Sequence, residues 1–197
     1  MTLERKRIGI DFDDLIFDLM TQLCLWHNTR YGTANVREDF TTYDIWLIWG
    51  VTRDESLRRA REFYPSREHA AMLPLQGAKE VIPMLLEQVD VEVVSSRPEL
   101  ARGETLGLLE EHFPQLVDHL HLTNQYGFGA SQRKSEICRT LGLQAFAEDA
   151  AHHHQDVQQV IEQTYLYRTP WNSTYAATLP QRLVVSSWYG LGARLIF

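Results

Sequence analysis

The chain has 197 residues, 44% of them hydrophobic and 23% charged, with a formal net charge of −7. That length buries a full core and leaves room for an insertion, and the acidic balance argues against polymeric nucleic acid as a partner. No apolar run approaches the ~20 residues of a membrane span, Met1–Arg7 holds no signal-peptide apolar stretch, and Cys24 and Cys138 form neither a disulfide framework nor a zinc pair, so a cytoplasmic setting and no membrane partner are expected.

Residues 7–12 read as a first strand that runs into Asp11-Phe12-Asp13. Ending a buried strand on two carboxylates is costly unless something compensates. A divalent cation does so through oxygen ligands, and the strand period of two sets Asp11 and Asp13 on one side. The competing reading is a solvated turn with Asp13 or Asp14 capping the next helix. From Asp14 the pattern is helical, with Leu15, Ile16, Leu19, Met20, Leu23 and Trp26 on one face until Tyr31-Gly32.

Residues 31–75 change character. Aromatics (Phe40, Tyr43, Trp46, Trp49, Phe63, Tyr64) mix with arginines, and no β-branched run is long enough for a strand pair. A helix is predicted from Asp54 to about Phe63, and the segment reads as a small helical insertion between residues 1–30 and 76–197. Arg53, Arg58, Arg59 and Arg61 are taken as a solvated helix face.

The α/β alternation then resumes. A helix follows with Val81, Ile82, Leu85 and Leu86 on one face and Pro83 inside it, where a kink is expected. A strand at Val89–Val94 stops at Ser95-Ser96-Arg97-Pro98. Proline suits a first helical position, so Ser96 or Arg97 is expected to cap a helix reaching about His112. Leu120–Thr123 is a short strand and Ser131–Leu141 a helix containing Lys134. Gln144–Ala147 is a strand ending in Glu148-Asp149, His152–Gln163 a helix and Thr164–Tyr167 a strand. Repeated strand–helix alternation predicts an α/β fold, a Rossmann-like three-layer parallel sheet. The run His152-His153-His154 is read as a solvated first turn, because adjacent helical side chains point in different directions and seldom converge on one ion. The tail Leu183–Phe197 is apolar enough either to pack on the domain or to form a homodimer contact.

Polar residues thus follow several strands, where α/β sheets bind ligands. In order they are an acid pair (Asp11, Asp13), a serine (Ser95), a lysine (Lys134) and a second acid pair (Glu148, Asp149). This set can hold, neutralise and attack a phosphoryl group. The order resembles the haloacid dehalogenase-like phosphohydrolases: Ile10-Asp11-Phe12-Asp13, then Val93-Val94-Ser95, then Lys134, then Phe146-Ala147-Glu148-Asp149. The resemblance spans residues 7 to about 170.

It implies Asp11 as a nucleophile forming an aspartyl-phosphate and Asp13 as the acid and base. It also implies Ser95, Ser96 and Lys134 as phosphate-binding groups, and Mg²⁺ held by Asp11, Asp149 and the main-chain carbonyl of Asp13, with Glu148 the alternative to Asp149. One departure is Asp14, where the family often has glycine; it adds negative charge and restricts the turn. The helical insertion would be a cap that sets substrate choice. With Ser95-Ser96-Arg97-Pro98 and Thr169-Pro170-Trp171-Asn172, it resembles the 5′-nucleotidase or 5′(3′)-deoxyribonucleotidase branch. The implied partner is a small phosphorylated substrate, a nucleotide, with Arg97, Trp46 and Trp49 as candidate substrate contacts and packing of the cap's own core as the alternative for the two tryptophans.

A phosphorelay receiver also uses an acid pair, a hydroxyl and a lysine, but there the lysine follows the last of those strands and no 40-residue insertion interrupts them. A metal-binding Asp-x-Asp glycosyltransferase normally has a nucleotide-binding domain before its acid pair, and only ten residues precede this one. A phosphatase of another small metabolite and a non-catalytic phospholigand-binding protein of the same fold stay open.

Overall fold

The computed structural model describes residues 5–127 and 129–196; Phe197, the end of the predicted tail, lies outside them, as do Met1–Glu4. Six strands form one parallel sheet in the order β3-β2-β1-β4-β5-β6. They are β1 (Arg7–Ile10), β2 (Asp90–Ser95), β3 (Leu120–Leu122), β4 (Ala145–Glu148), β5 (Gln163–Tyr167) and β6 (Val184–Val185). Chain order reverses between β1 and β4, so the carboxyl ends of these two neighbours open a crevice, the place where open α/β sheets bind ligands. Register fixes its walls: Ile10 lies opposite Ala147 on one side and Val93 on the other. Gly9 permits the close approach of β1 to β4, since a Cβ there would sit 2.4 Å from the Phe146 ring.

Between β1 and β2 come α1 (Leu19–Tyr31), α2 (Ile45–Trp49), α3 (Arg53–Phe63), α4 (Arg67–Ala70) and α5 (Ala78–Gln88). α6 (Arg102–His112), α7 (Lys134–Thr140), α8 (Ala151–Gln158), α9 (Ser173–Ala176) and α10 (Trp188–Ile196) follow the later strands. Helices cover both faces of the sheet. Ile8, Ile10, Val91 and Val93 pack one way with Leu85, Leu109 and Leu191. Val94 and Phe146 pack the other way with Ile137, Cys138 and Val157. No described helix is long and apolar enough to cross a membrane.

The structure moves several predicted boundaries. The helix expected from Asp14 begins at Leu19, capped by Asp18. Residues 14–18 form a tight loop instead, in which Asp14 takes a positive φ of 53° and its N–H bonds to the Phe17 carbonyl at 2.8 Å. Apolar Leu15, Ile16 and Phe17 are fully buried in that loop, and Leu15 and Ile16 fall in register with the face of α1. Pro98 is extended (ψ 150°) and precedes a 3₁₀ turn at Glu99–Ala101, and neither Ser96 nor Arg97 caps a helix. α7 starts at Lys134, three residues after the predicted start. α5 runs through Pro83, which forgoes one helical hydrogen bond.

Residues 33–75 contain helices and no strand of the sheet, as predicted. β6 and α10 went unassigned in the sequence. α10 packs on the domain: Trp188 is fully buried and its indole N–H donates to the Leu15 carbonyl at 2.7 Å.

Candidate active site

The loop after β1 and the loop after β4 bring Asp11, Glu148 and Asp149 together, with carboxylate oxygens within 4.8 Å of one another. All three are buried. Lys134, the first residue of α7, is fully buried and spans two of them, donating to Asp11 Oδ1 and Glu148 Oε2, each at 2.6 Å. Burial by itself would lower the Lys134 pKa, but Asp11 and Glu148 outweigh it and raise the value, so the ammonium stays charged. Two of its three donors are used, which leaves one for a ligand.

Glu148 is fully engaged. Its Oε2 accepts from Lys134 and its Oε1 from the Ala150 N–H at 3.1 Å. Asp149 is held differently: the Trp171 indole N–H donates to its Oδ2 at 2.7 Å, and Asn172 Nδ2 donates to its main-chain carbonyl at 2.6 Å. Among the described residues no donor meets its Oδ1, which favours Asp149 over Glu148 as a cation ligand.

Asp13, on the same loop, faces Arg97. The guanidinium donates from Nε to Asp13 Oδ2 at 2.9 Å and from Nη2 to Oδ1 at 2.7 Å. Asp14 pairs with Arg37, which also bonds Asp18, and Asp14 Oδ1 accepts from the Met20 N–H at the start of α1. The aspartate standing where the related motif often has glycine thus adopts the left-handed turn itself, and Arg37 offsets its charge.

Among the described residues Lys134, Arg97 and Arg37 therefore serve five carboxylates, Asp11, Asp13, Asp14, Asp18 and Glu148, and Asp149 touches none of the three. The shortage of positive charge is visible in the protonation equilibria. Burial, then Glu148, pushes the Asp11 carboxyl up to about 8. Burial, then Glu148 and Asp11, pushes Asp149 well above the carboxylate range. Oxygen-only donors with an excess of negative charge suit a hard divalent cation such as Mg²⁺.

The other predicted residues separate. Ser95, at the end of β2, is fully buried and its Oγ accepts from the Arg97 N–H at 3.2 Å; its hydroxyl hydrogen remains available. Ser96 lines a cavity of about 430 Å³ that begins at Asp13 and Asp149 and continues between α1, α2 and α3. Trp46 lines that cavity. Trp49 does not: it is buried and stacks on His27, ring centroids 4.0 Å apart and planes 9° apart. As a substrate contact Trp49 is corrected to a core residue, because its ring is covered by His27. Arg97 lines the cavity as well, with donors taken up by Asp13, His69 and Thr105.

The histidine run is not a solvated turn. His152 is exposed, but His153 and His154 are buried. His154 donates from Nε2 to the Thr164 carbonyl and accepts at Nδ1 from the Tyr175 hydroxyl, both at 3.0 Å. Nor is the arginine face of α3 wholly solvated: Arg59 reaches inward to His27 Nε2 at 2.9 Å. Sequence reasoning missed Arg37 and the roles of Trp171 and Tyr43. Trp171 lies in a quoted motif, but its bond to Asp149 joins two loops that only the β4–β5 pairing brings together. Tyr43, also on the cavity wall, packs edge-on against His152.

Solved structures with the same architecture include a haloacid dehalogenase-like hydrolase from Streptococcus pneumoniae (TM-score 0.68, 9% identity, 96% of this chain and 97% of that one). Another is a HAD family hydrolase from Deinococcus radiodurans with bound phosphate and sodium (TM-score 0.64, 13% identity, 95% and 93%). A third is a HAD-superfamily hydrolase of subfamily IA from Geobacter sulfurreducens (TM-score 0.62, 14% identity, 98% and 97%). The fold is thus that of the haloacid dehalogenase-like hydrolases. No curated protein matches the chain in sequence. The family model described as "5′ nucleotidase, deoxy (Pyrimidine), cytosolic type C protein" matches residues 5–125, and the chain belongs to that family. The match takes in Asp11, Asp13, Ser95, Ser96, Arg97 and the helical insertion.

Proposed function

We propose that the protein is a Mg²⁺-dependent phosphomonoesterase acting on nucleoside monophosphates, in which residues 31–75 are a cap over a core formed by residues 1–30 and 76–197. The observation that carries the reading is the crevice itself. Asp11, bound to Lys134, lies beside Asp149 with its unoccupied Oδ1, and a cavity runs from there to the aromatic wall of α2.

In this reading an Asp11 carboxylate oxygen attacks phosphorus as the bond to the leaving oxygen breaks, and Asp13 gives that oxygen its proton. Water then attacks the aspartyl-phosphate, Asp13 takes its proton, and phosphate leaves with Asp11 restored. Lys134 and the hydroxyls of Ser95 and Ser96 hold the phosphate oxygens. Asp11, Asp149 and the Asp13 carbonyl would hold Mg²⁺, which supplies neutralisation of the charge that otherwise keeps an anionic nucleophile from an anionic substrate. The aliphatic and aromatic cavity wall, with Trp46 within cation–π range of Arg53 (5.9 Å), offers a face on which a base can stack. Two buried, unpaired cysteines fit a reducing, cytoplasmic setting.

The test is phosphate release from a panel of nucleoside, sugar and aryl monophosphates, with Mg²⁺ and with chelator, for the wild type and Asp11→Asn. Metal-dependent release that the variant loses, strongest on nucleotides, supports the reading. Release strongest on a sugar phosphate moves the substrate class while keeping the chemistry. No release by a folded, metal-binding protein overturns the enzyme reading in favour of phospholigand binding.

A further inference from the structure

Arg97 is an arginine at 1% exposure, and burying a guanidinium is costly unless its donors are met. Here they are met by three segments of the chain. The Nε/Nη2 edge forms a two-pronged pair with Asp13. Nη1 donates to the Thr105 hydroxyl of α6 and to His69 Nε2 of α4, both at 2.9 Å. The plane lies 4.3 Å over the Phe12 ring. His69 is itself buried, and desolvation, then the Arg97 charge, lowers its pKa to about 3, so its ring stays neutral and Nε2 remains an acceptor. The hydroxyl of Thr105 donates to the Ala101 carbonyl at 2.6 Å, which turns its lone pairs to Arg97.

Asp13 needs such a fixture. It sits on an irregular loop, its side chain keeps 21% exposure, and the carboxyl groups of Asp11 and Asp14 lie near enough to interact with it. A planar fork aligned with the carboxylate fixes both its position and its plane, which a lysine's point charge does not. We propose that Arg97, held by His69 and Thr105, is a positioning residue that fixes the plane of the Asp13 carboxyl group, which enters the step protonated, gives that proton to the leaving oxygen and is left as the carboxylate that Arg97 pairs. The inference rests on the reading of Asp13 given above. It also gives the helical insertion a direct mechanical link to the chemistry, because His69 belongs to α4.

Leaving groups distinguish positioning from a merely structural ion pair. A nucleoside 5′-monophosphate expels a primary alkoxide that needs a proton, whereas p-nitrophenyl phosphate expels a stabilised phenolate that does not. The experiment measures single-turnover release of the leaving group from both substrates, with enzyme in excess and Mg²⁺ saturating, for the wild type, Asp13→Asn, Arg97→Lys, His69→Phe and His69→Gln. General acid catalysis is worth about 10²–10⁴-fold. Arg97→Lys is expected to slow the nucleotide by about 10²-fold and the aryl phosphate by no more than a few-fold, with KM unchanged on both. His69→Phe, which leaves the Arg97–Asp13 pair in place, is expected to show the same split at roughly 10-fold, and His69→Gln, which restores an acceptor, to recover most of it.

Equal losses on both substrates, or a rise in KM with an unchanged rate, overturn the proposal. If Arg97→Lys does not fold, the His69 pair decides in the same way. A split in Asp13→Asn that is absent from the Arg97 and His69 variants overturns the positioning role alone. A wild type inactive on both substrates, or an Asp13→Asn variant without a split, overturns the reading of Asp13 and this inference with it.

Discussion

The two ends of the cavity are built on opposite principles. At the sheet end, buried carboxylates share three cations, Lys134 with Asp11 and Glu148, Arg97 with Asp13, and Arg37 with Asp14 and Asp18, and Asp149 touches none of the three. At the insertion end, stability comes from aromatic and aliphatic packing around histidines that must stay neutral. His27 accepts from Arg59 at Nε2 and donates from Nδ1 to the Thr33 hydroxyl, which donates to Asn28 Oδ1 at 2.7 Å. Its ring lies flat on Trp49. In the proposed reading the charged end carries the phosphoryl transfer, and the apolar end meets the rest of the substrate. The difference teaches where each kind of substitution should act, on the reaction or on discrimination and anchoring.

The sharpest test of the charged end is Lys134→Met. It leaves Asp11 and Glu148 buried and unpaired, so phosphate release should fall by at least ~10³-fold and stability by about 3–5 kcal/mol, seen in initial rates and urea melts. A Lys134→Met protein of wild-type stability would show that the buried pairs do not hold this end together. Next is Trp171→Phe, which keeps the ring but loses the N–H on Asp149. Loss of such an outer partner typically costs 10–100-fold in metal affinity. Calorimetric titration with Mg²⁺ should find weakening of that order, and unchanged binding would remove Asp149 from the ligand set.

At the apolar end, Trp46→Ala and Trp49→Ala should part company. Trp49→Ala should cost about 3–5 kcal/mol in unfolding free energy and leave the ranking of substrates intact. Trp46→Ala should change stability little, but raise KM roughly 10-fold for nucleotides while sparing p-nitrophenyl phosphate. If both behave alike, the cavity wall does not read the base. A further effect is expected on pH. Burial, then Arg59, lowers the His27 pKa to about 4 from 6.5. The unfolded chain therefore binds the extra proton first as pH falls, so this contribution is intact above pH 6.5 and is lost progressively down to pH 4, by roughly 3 kcal/mol at most. Thermal melts between pH 7 and 4 should record it, and His27→Gln should flatten the slope. An unchanged slope in that variant would place the acid sensitivity elsewhere.

Much of the fold was legible in the chain. Strand–helix alternation and the strand-end acids are local patterns, and the order acid pair, serine, lysine, acid pair located the crevice before any coordinates. The misreadings share a cause. Leu15 and Ile16 fall in register with the face of α1 because they are buried with it, yet Asp14 turns the chain through the left-handed region. Trp46 and Trp49 are three residues apart and similar in type, and only the position of His27 separates cavity wall from core.

The sequence by itself determined the parallel α/β class, the position of the helical insertion and which polar residues end the strands, since periodicity and strand ends are properties of neighbouring residues. Only the tertiary structure decided which charge meets which. Arg97 finds Asp13 across 84 positions and Lys134 finds Asp11 across 123. It also decided that Glu148 is spent on Lys134 and the Ala150 N–H while Asp149 keeps an oxygen free. The energy of a buried charge depends on the partners that the sheet order brings within a few ångströms, and no pattern along the chain encodes that distance.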